Sequence, residues 1–341
     1  MRRAEAGRYF FYSLHSATPV SRLPFSEMLL VKLNILGSAA GGGFPQWNCA
    51  CRNCNGLRSG TLQARPRTQT QIAFSPDDQT WFLVCASPDL RTQILSAREL
   101  TPSADRPGHS PIGGVFLPSA DVDCVMGLLH LREFQGFFVF STAAVQRALR
   151  QENRIFKVLE RSAPPVQWQV LSNKGRLGCH LSESPGESPT FVCNTIPLGG
   201  DYPDYVSDEF RRNAPADDAT VGFLLEFGAK KVFFAPSLAG HNAEWQKLAS
   251  SADVVLIDGT FWSNDELRQT GRTSKTAREI GHIPLSGADG LLAQFPSGAK
   301  GRRILIHINN TNPILDEDSP EHGSVLEAGF EIAYDGMDIQ L

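Results

Sequence analysis

Three cysteines, Cys49, Cys51 and Cys54, stand at C-x-C-x-x-C spacing inside the string LNILGSAAGGGFPQWNCACRNCN. A disulfide needs its two Cα atoms several ångströms apart in a restricted geometry, so three thiols packed this closely do not pair off without strain. They converge readily on one soft cation. Tetrahedral Zn²⁺ bound through sulfur is the usual outcome, with a fourth ligand brought from elsewhere in the chain. The bland alternative is three reduced thiols in a loop. A second set of chemistry-bearing residues is dispersed: Asp258 closes the apolar run DVVLID, His282 stands in GHIPLSG, and His307 closes RRILIH. Single histidines are more often structural than functional, but metal-type side chains at successive strand ends converge on one crevice of a sheet. Asp121, Asp123 and Cys124 occupy the same kind of place, where a strand gives way to a helix. Asp89 has two readings, a carboxylate at the positive end of a helix or one facing a pocket from a strand end. His15, His130, His180 and His241 carry no such context and are assigned no role.

The elements that must position these residues are legible in the apolar pattern. MLLVKLNILG reads as a strand entering a glycine-rich turn, and QIAFS and TWFLVCA as a hairpin around SPDDQ. Ser87 and Pro88 predict a helix start, with Ser87 as N-cap. IGGVFL, GFFVF, FVCNTIP, TVGFLLEF and KKVFFAPSL are further strands, the last two joined at Gly228–Ala229. Helices are predicted over STAAVQRALRQ and AEWQKLASSA, whereas residues 151–190 read as hairpins or a surface insertion. The long polar loop from Asp201 to Asp218 is expected to act as a lid or binding wall.

The chain has 341 residues, is 41% hydrophobic and carries a net charge of -4. That length allows two domains or one large layered α/β domain, and the charge excludes a broad electrostatic grip on nucleic acid. No run approaches the roughly eighteen apolar residues that span a bilayer. Four more cysteines, Cys85, Cys124, Cys179 and Cys193, are scattered in apolar contexts. With the zinc-like cluster they point to a reducing compartment, hence the cytoplasm. Residues 1–27 read as an N-terminal extension without a signal-peptide core and cleavage site. Met28 opens the first clean strand, so the extension is expected to be a mis-assigned start or a disordered tail, and 28–341 the folded part.

The strings GSAAGGGFPQWNCACRNCNG, PRTQTQIA, ASPDLR, MGLLHLRE, IDGTFWSNDEL, GHIPLSG and IHINNTNPILDEDSPE together resemble the pyrroloquinoline quinone (PQQ) biosynthesis protein B family. The resemblance runs in order from Met28 to Leu341 and rests on long, unusual strings. It implies a metallo-β-lactamase-like αββα sandwich: two mixed β-sheets flanked by helices, in a single domain, with the site at one sheet edge. Hydrolases of that superfamily carry H-x-H-x-D-H after an early strand. Here the stretch is Ser119 to Cys124, without the leading histidines. Asp123 matches the superfamily aspartate, and Cys124 stands where the PQQ family keeps a histidine, exchanging a nitrogen ligand for a softer thiol. His282 and His307 resemble the later metal histidines. The bridging aspartate of di-zinc hydrolases has no counterpart, since the matching strand end is APSL, Ala235 to Leu238. A site holding two ions roughly 4 Å apart is therefore not expected.

The resemblance implies metal- and O₂-dependent hydroxylation of the tyrosine-derived ring of a Glu-Tyr precursor, free or peptide-linked, alongside other PQQ-biosynthesis proteins. Zn²⁺ would be structural and Fe²⁺ catalytic. His282, His307 and Asp123 would form the two-histidine, one-carboxylate set that suits ferrous oxygen activation. Asp89, Asp258 and Cys124 would be supporting or alternative ligands. In related phosphodiesterases the cysteine knot is completed by a histidine three residues after the terminal metal histidine, and here that position is Asn310. His307 therefore has two open assignments, catalytic ligand or fourth zinc ligand. Two other functions compete: a non-catalytic carrier of PQQ or its precursor, and a metal-dependent hydrolase.

Overall fold

The computed structural model describes residues 12–13, 31–104, 108–133, 135–161, 165–181, 190–271 and 273–341. Of the N-terminal extension, Tyr12–Ser13 pairs antiparallel with Arg176–Cys179 on a sheet edge. The rest of 1–27 lies outside the described residues.

Two mixed sheets face each other. In spatial order the first contains Met337–Gln340, Lys32–Gly37, Gln71–Ser75, Trp81–Val84, Ile112–Phe116, Phe138–Ser141 and Gln167–Val170. Its first four strands are antiparallel neighbours and its last four run parallel. The second sheet continues from Tyr12–Ser13 and Arg176–Cys179 through Phe191–Pro197, Val221–Phe227, Lys230–Ala235, Val254–Asp258 and Arg302–Ile306 to Glu331–Ile332. It is antiparallel as far as Lys230–Ala235 and parallel beyond.

Phenylalanines from both inner faces fill the space between the sheets. Phe74, Phe82 and Phe116 meet Phe191, Phe223 and Phe227, with Phe74 edge-on to Phe191 at 5.3 Å and Phe116 stacked on Phe140 at 4.3 Å. Each such ring contributes roughly 1.5–3 kcal/mol by leaving water. A second apolar cluster packs the outer face of the second sheet against helices Ala243–Ser251 and Pro320–Glu327, with Trp245 and Val325 fully buried. Because these strands are covered on both faces, they read as continuous apolar runs rather than alternating ones.

The parallel strands bring their C-terminal ends to one edge. Ala235 pairs with Ile257, and Asp258 with Ile306, so Pro236, Asp258 and His307 emerge side by side. Val84, Phe116 and Phe140 end in register in the other sheet, ahead of Cys85 and Leu117. Bridges Ser119–Thr220 and Ala39–Ile308 join the two sheets there.

Two predicted helices differ in detail. The helix expected from Ser87 and Pro88 spans Leu90–Ser96. The Ser87 hydroxyl accepts the Asp89 N–H at 3.2 Å and donates to Gln93 Oε1 at 2.8 Å, so residues 87–89 form a turn and not the first helical turn. The helix after Thr142 is α-helical only over Ala143–Arg147 and widens to a π-turn over Ala148–Glu152.

Candidate metal centres

The cysteine knot lies between the glycine-rich turn and a short helix. Gly42 and Gly43 adopt φ of 94° and 69°, backbone that only glycine holds without strain. Cys51 is the N-cap of helix Arg52–Ser59. The sulfurs of Cys49, Cys51 and Cys54 lie within 4.8 Å of one another. Backbone N–H groups donate to all three: Gln46 to Cys54 Sγ at 3.3 Å, Cys51 to Cys49 Sγ at 3.4 Å and Cys54 to Cys51 Sγ at 3.5 Å. Such donors neutralise thiolate charge. Burial pushes the Cys54 thiol up to about 11, against the lowering effect of the Gln46 and Asn310 hydrogen bonds. A soft dication would reverse that balance and bind the deprotonated sulfurs.

The structure gives the fourth position over this knot to Asn310. Its Nδ2 lies 3.2 Å from Cys49 Sγ, 3.6 Å from Cys51 Sγ and 3.3 Å from Cys54 Sγ. A half-turn of the amide exchanges Nδ2 for Oδ1, an oxygen donor. The donor set fits Zn²⁺. His307, the alternative fourth ligand from sequence, groups instead with Asp258 and His282, whose ligand atoms all lie within 4.8 Å.

In that second group the hydrogen bonds determine which nitrogen each imidazole offers. His282 Nδ1 lies 2.8 Å from Asp258 Oδ2, which also accepts the Leu238 N–H at 2.9 Å. Asp258 Oδ1 accepts both the Thr260 N–H at 3.0 Å and the Thr260 hydroxyl at 2.6 Å. With its one hydrogen on Asp258, the Thr260 oxygen accepts from His307 Nδ1, 2.9 Å away. Both imidazoles therefore carry hydrogen on Nδ1, so Nε2 is the nitrogen each would turn to a metal. The rings stack at 5.4 Å, and His307 Nε2 lies 3.2 Å from Asp123 Oδ2. His307 itself holds a left-handed φ of 62°. It is clamped by the following residues: the Ile308 N–H donates to Ser38 O, and the Asn309 N–H to Thr260 O.

Charges follow this geometry. Burial opposes ionisation of Asp123 and Asp258, but His307 and His282 outweigh it and hold both carboxyls below the usual range. Burial likewise opposes a charged His307, and Asp123 overcomes it and raises the imidazole. Asp121 is pushed up by burial and by repulsion from Asp123.

Asp121, Asp123, Cys124, His282 and His307 line a cavity of about 770 Å³. Lys275 and Arg278 line it too, as do residues 200–204 of the loop expected to form a wall. That loop is anchored by the Tyr202 and Tyr205 hydroxyls, which donate to Pro215 O and Ala120 O. Two candidate residues do not line the cavity. Asp258 is fully buried and orients His282 from behind. Asp89, whose two readings are a helix-end or a pocket carboxylate, stands at the N-cap of Leu90–Ser96 and accepts from the Gln69 N–H at 2.9 Å and the Gln69 side chain at 3.1 Å. It braces the strand end that carries Gln69, which itself lines the cavity.

Sequence reasoning missed Thr260, Glu266 and the place of Asn310 over the cysteine knot. Only Asn310 had a signal, its offset of three from His307. Glu266 is buried, accepts from the Trp262 N–H at 2.7 Å and from the Thr311 hydroxyl, and so holds the loop that joins the two centres. Burial pushes its carboxyl up to about 7, partly offset by those two donors.

Comparison with known proteins identifies relatives of the chain and of its fold. The family model described as Beta-lactamase superfamily domain matches residues 80–308. Coenzyme PQQ synthesis protein B from Azotobacter vinelandii is 42% identical over 91% of this chain and 99% of its own. The protein of the same name from Azoarcus sp. is 41% identical over 91% of this chain and 100% of its own. Among solved structures, Zn(2+)-bound PqqB from Methylobacterium extorquens superposes with a TM-score of 0.81 at 37% identity, covering 91% of this chain and 100% of that one. A diphosphatase from the PhnP family shares the fold, with a TM-score of 0.59 at 15% identity over 92% of this chain and 97% of that one. By its layered architecture, its site at the sheet edge and these relatives, the chain belongs to the coenzyme PQQ synthesis protein B family, within the metallo-β-lactamase fold.

Proposed function

We propose that this chain acts in the biosynthesis of pyrroloquinoline quinone as a metal- and O₂-dependent hydroxylase of the tyrosine-derived ring of a Glu-Tyr precursor. The observation that carries this reading is the preset pair of Nε2 atoms on His282 and His307 beside Asp123. Two imidazoles and one carboxylate would hold a single ferrous ion and leave other positions open. When bound, that ion supplies the capacity to activate dioxygen. The chain's own residues do the rest. Asp258 and Thr260 hold hydrogen on Nδ1 of both rings, and the proton that His307 Nε2 shares with Asp123 must leave before those two side chains act as ligands. Lys275 on the cavity wall suits a carboxylate of a glutamate–tyrosine substrate, whereas Arg278 beside it is already paired with Asp289 at 2.6 Å. Residues 200–204 and the glycine turn at 41–42 complete the lining of the cavity. The knot of Cys49, Cys51, Cys54 and Asn310 would hold structural zinc, and reduced thiols there suit a cytoplasmic setting. A strand end without a carboxylate, Ala235 to Leu238, weighs against a two-metal hydrolase.

The test is anaerobic reconstitution with Fe²⁺, then exposure to air with a Glu-Tyr peptide as the probe. Oxygen uptake matched by a gain of one oxygen in the peptide mass supports the hydroxylase, and Asp123→Ala should abolish both. Tight peptide binding with no oxygen uptake in fully iron-loaded protein would refute it and favour a carrier.

A further inference from the structure

Two cysteines outside the knot face the same cavity. Cys85 follows the strand Trp81–Val84, and Cys124 directly follows Asp123 in a short helix; both line the cavity wall and both are otherwise buried. Cys85 adopts φ of 67°, a left-handed conformation that a residue with a Cβ keeps only when its surroundings impose it. Here three backbone hydrogen bonds impose it: Cys85 N–H to Phe116 O at 2.9 Å, Ala86 N–H to Cys124 O at 2.7 Å and Gly127 N–H to Ala86 O at 2.7 Å. Gly127 permits this approach, since a Cβ there would lie 2.2 Å from Ser87 O. The Cα atoms of Cys85 and Cys124 flank the hydrogen bond from Ala86 to Cys124, which brings them within about 7 Å, the reach of a disulfide. Burial holds the Cys85 thiol well above its ordinary value, and the neighbouring Cys124 thiol adds to that effect.

We propose that Cys85 and Cys124 are a redox pair, closed to a disulfide by a hydroperoxide that enters the cavity and reopened by a dithiol. One sulfur attacks the O–O bond and takes one oxygen, becoming a sulfenic acid while its thiol proton goes to the other oxygen, which leaves as water or alcohol. The second sulfur attacks the first, the S–S bond forms, and hydroxide leaves with the second thiol proton as water. Two electrons pass from the sulfurs to the peroxide, and the two thiol protons end in its reduced products. Neither thiol needs a bound metal for this chemistry. Cys179 and Cys193 provide an internal comparison, for they lie on adjacent strands, are equally buried and do not line that cavity.

The experiment treats the full chain with hydrogen peroxide, quenches with iodoacetamide after denaturation and maps peptides without reduction. The expected product is a single cross-link between the peptides of Cys85 and Cys124, about 2 Da lighter than the free pair and reversed by dithiothreitol. Cys179 and Cys193 should stay alkylatable. Cys85→Ser and Cys124→Ser should each abolish the link and leave the remaining thiol as a sulfenic acid trapped by dimedone. If both thiols stay alkylatable in wild-type protein at a peroxide dose that oxidises the urea-unfolded chain, the proposal is overturned. Links from either cysteine to Cys49, Cys51 or Cys54 in place of the expected one would overturn it equally.

Discussion

Glu266 is the group whose replacement has a magnitude set most directly by its surroundings. Its carboxyl is buried beneath the loop that joins the two centres, and burial raises it from 4.5 to about 7. An acid raised on folding stabilises the fold fully below its unfolded value of about 4.5, and that contribution is lost as pH rises through about 7. The whole excursion is about 3 kcal/mol, at 1.36 kcal/mol per unit of displacement. Of this, about 2 kcal/mol falls between pH 5.5 and 8.5. Glu266→Gln mimics the protonated acid: its carbonyl can accept the Trp262 N–H while its amide donates to Thr311. The variant should therefore gain on wild type as pH rises, by about 2 kcal/mol across that window, or about 3 °C in melting temperature for a chain of this length. The assay is thermal unfolding of zinc-replete wild type and variant at matched pH values. A melting difference that stays flat from pH 5.5 to 8.5 would show that Glu266 is already ionised in the native fold, and the burial argument would fail.

The remaining expectations concern the metal centres. Asp258→Asn should weaken metal binding at His282 and His307 by about 10–100-fold, the usual loss when a ligand's orienting carboxylate is removed. Zinc in the cysteine knot should stay at one equivalent, and unchanged affinity at the second centre would rule out the orienting role. Asn310→His should slow zinc loss to a chelator by placing an imidazole over the three sulfurs; equal loss rates would mean that residue 310 is not at the metal. Cys124→His should raise iron affinity, measured by anaerobic titration, whereas an unchanged affinity would place that side chain away from the ion. Metal analysis of Cys49→Ala should find the knot's zinc gone and binding at the second centre retained.

The cysteine triad, the strand and helix order and the family strings were legible in the sequence because each is a local pattern. Spacing of three thiols, apolar runs and turn residues express constraints between neighbours in the chain. Asp123, His282 and His307 could be picked out as candidates, because the strand ends that carry them could be read one by one. Which of them meet could not, since the distances between them are set by strand register. The pairing of Asp258 with Ile306 brings His307 to Asp258 and His282 and leaves Asn310, three residues on, over the knot. Asp89 has two readings in sequence, and the turn at residues 87–89 sets it at the helix start with its carboxylate on Gln69. Thr260 carries no signal in sequence, yet its single hydroxyl hydrogen decides the tautomer of His307. Cys85 reads as one more residue of an apolar strand, and only its left-handed backbone and the approach of Cys124 across the sheet edge mark it out. Residue types carried the repertoire of chemistry in this protein, and the close packing of two sheets decided which atoms share it.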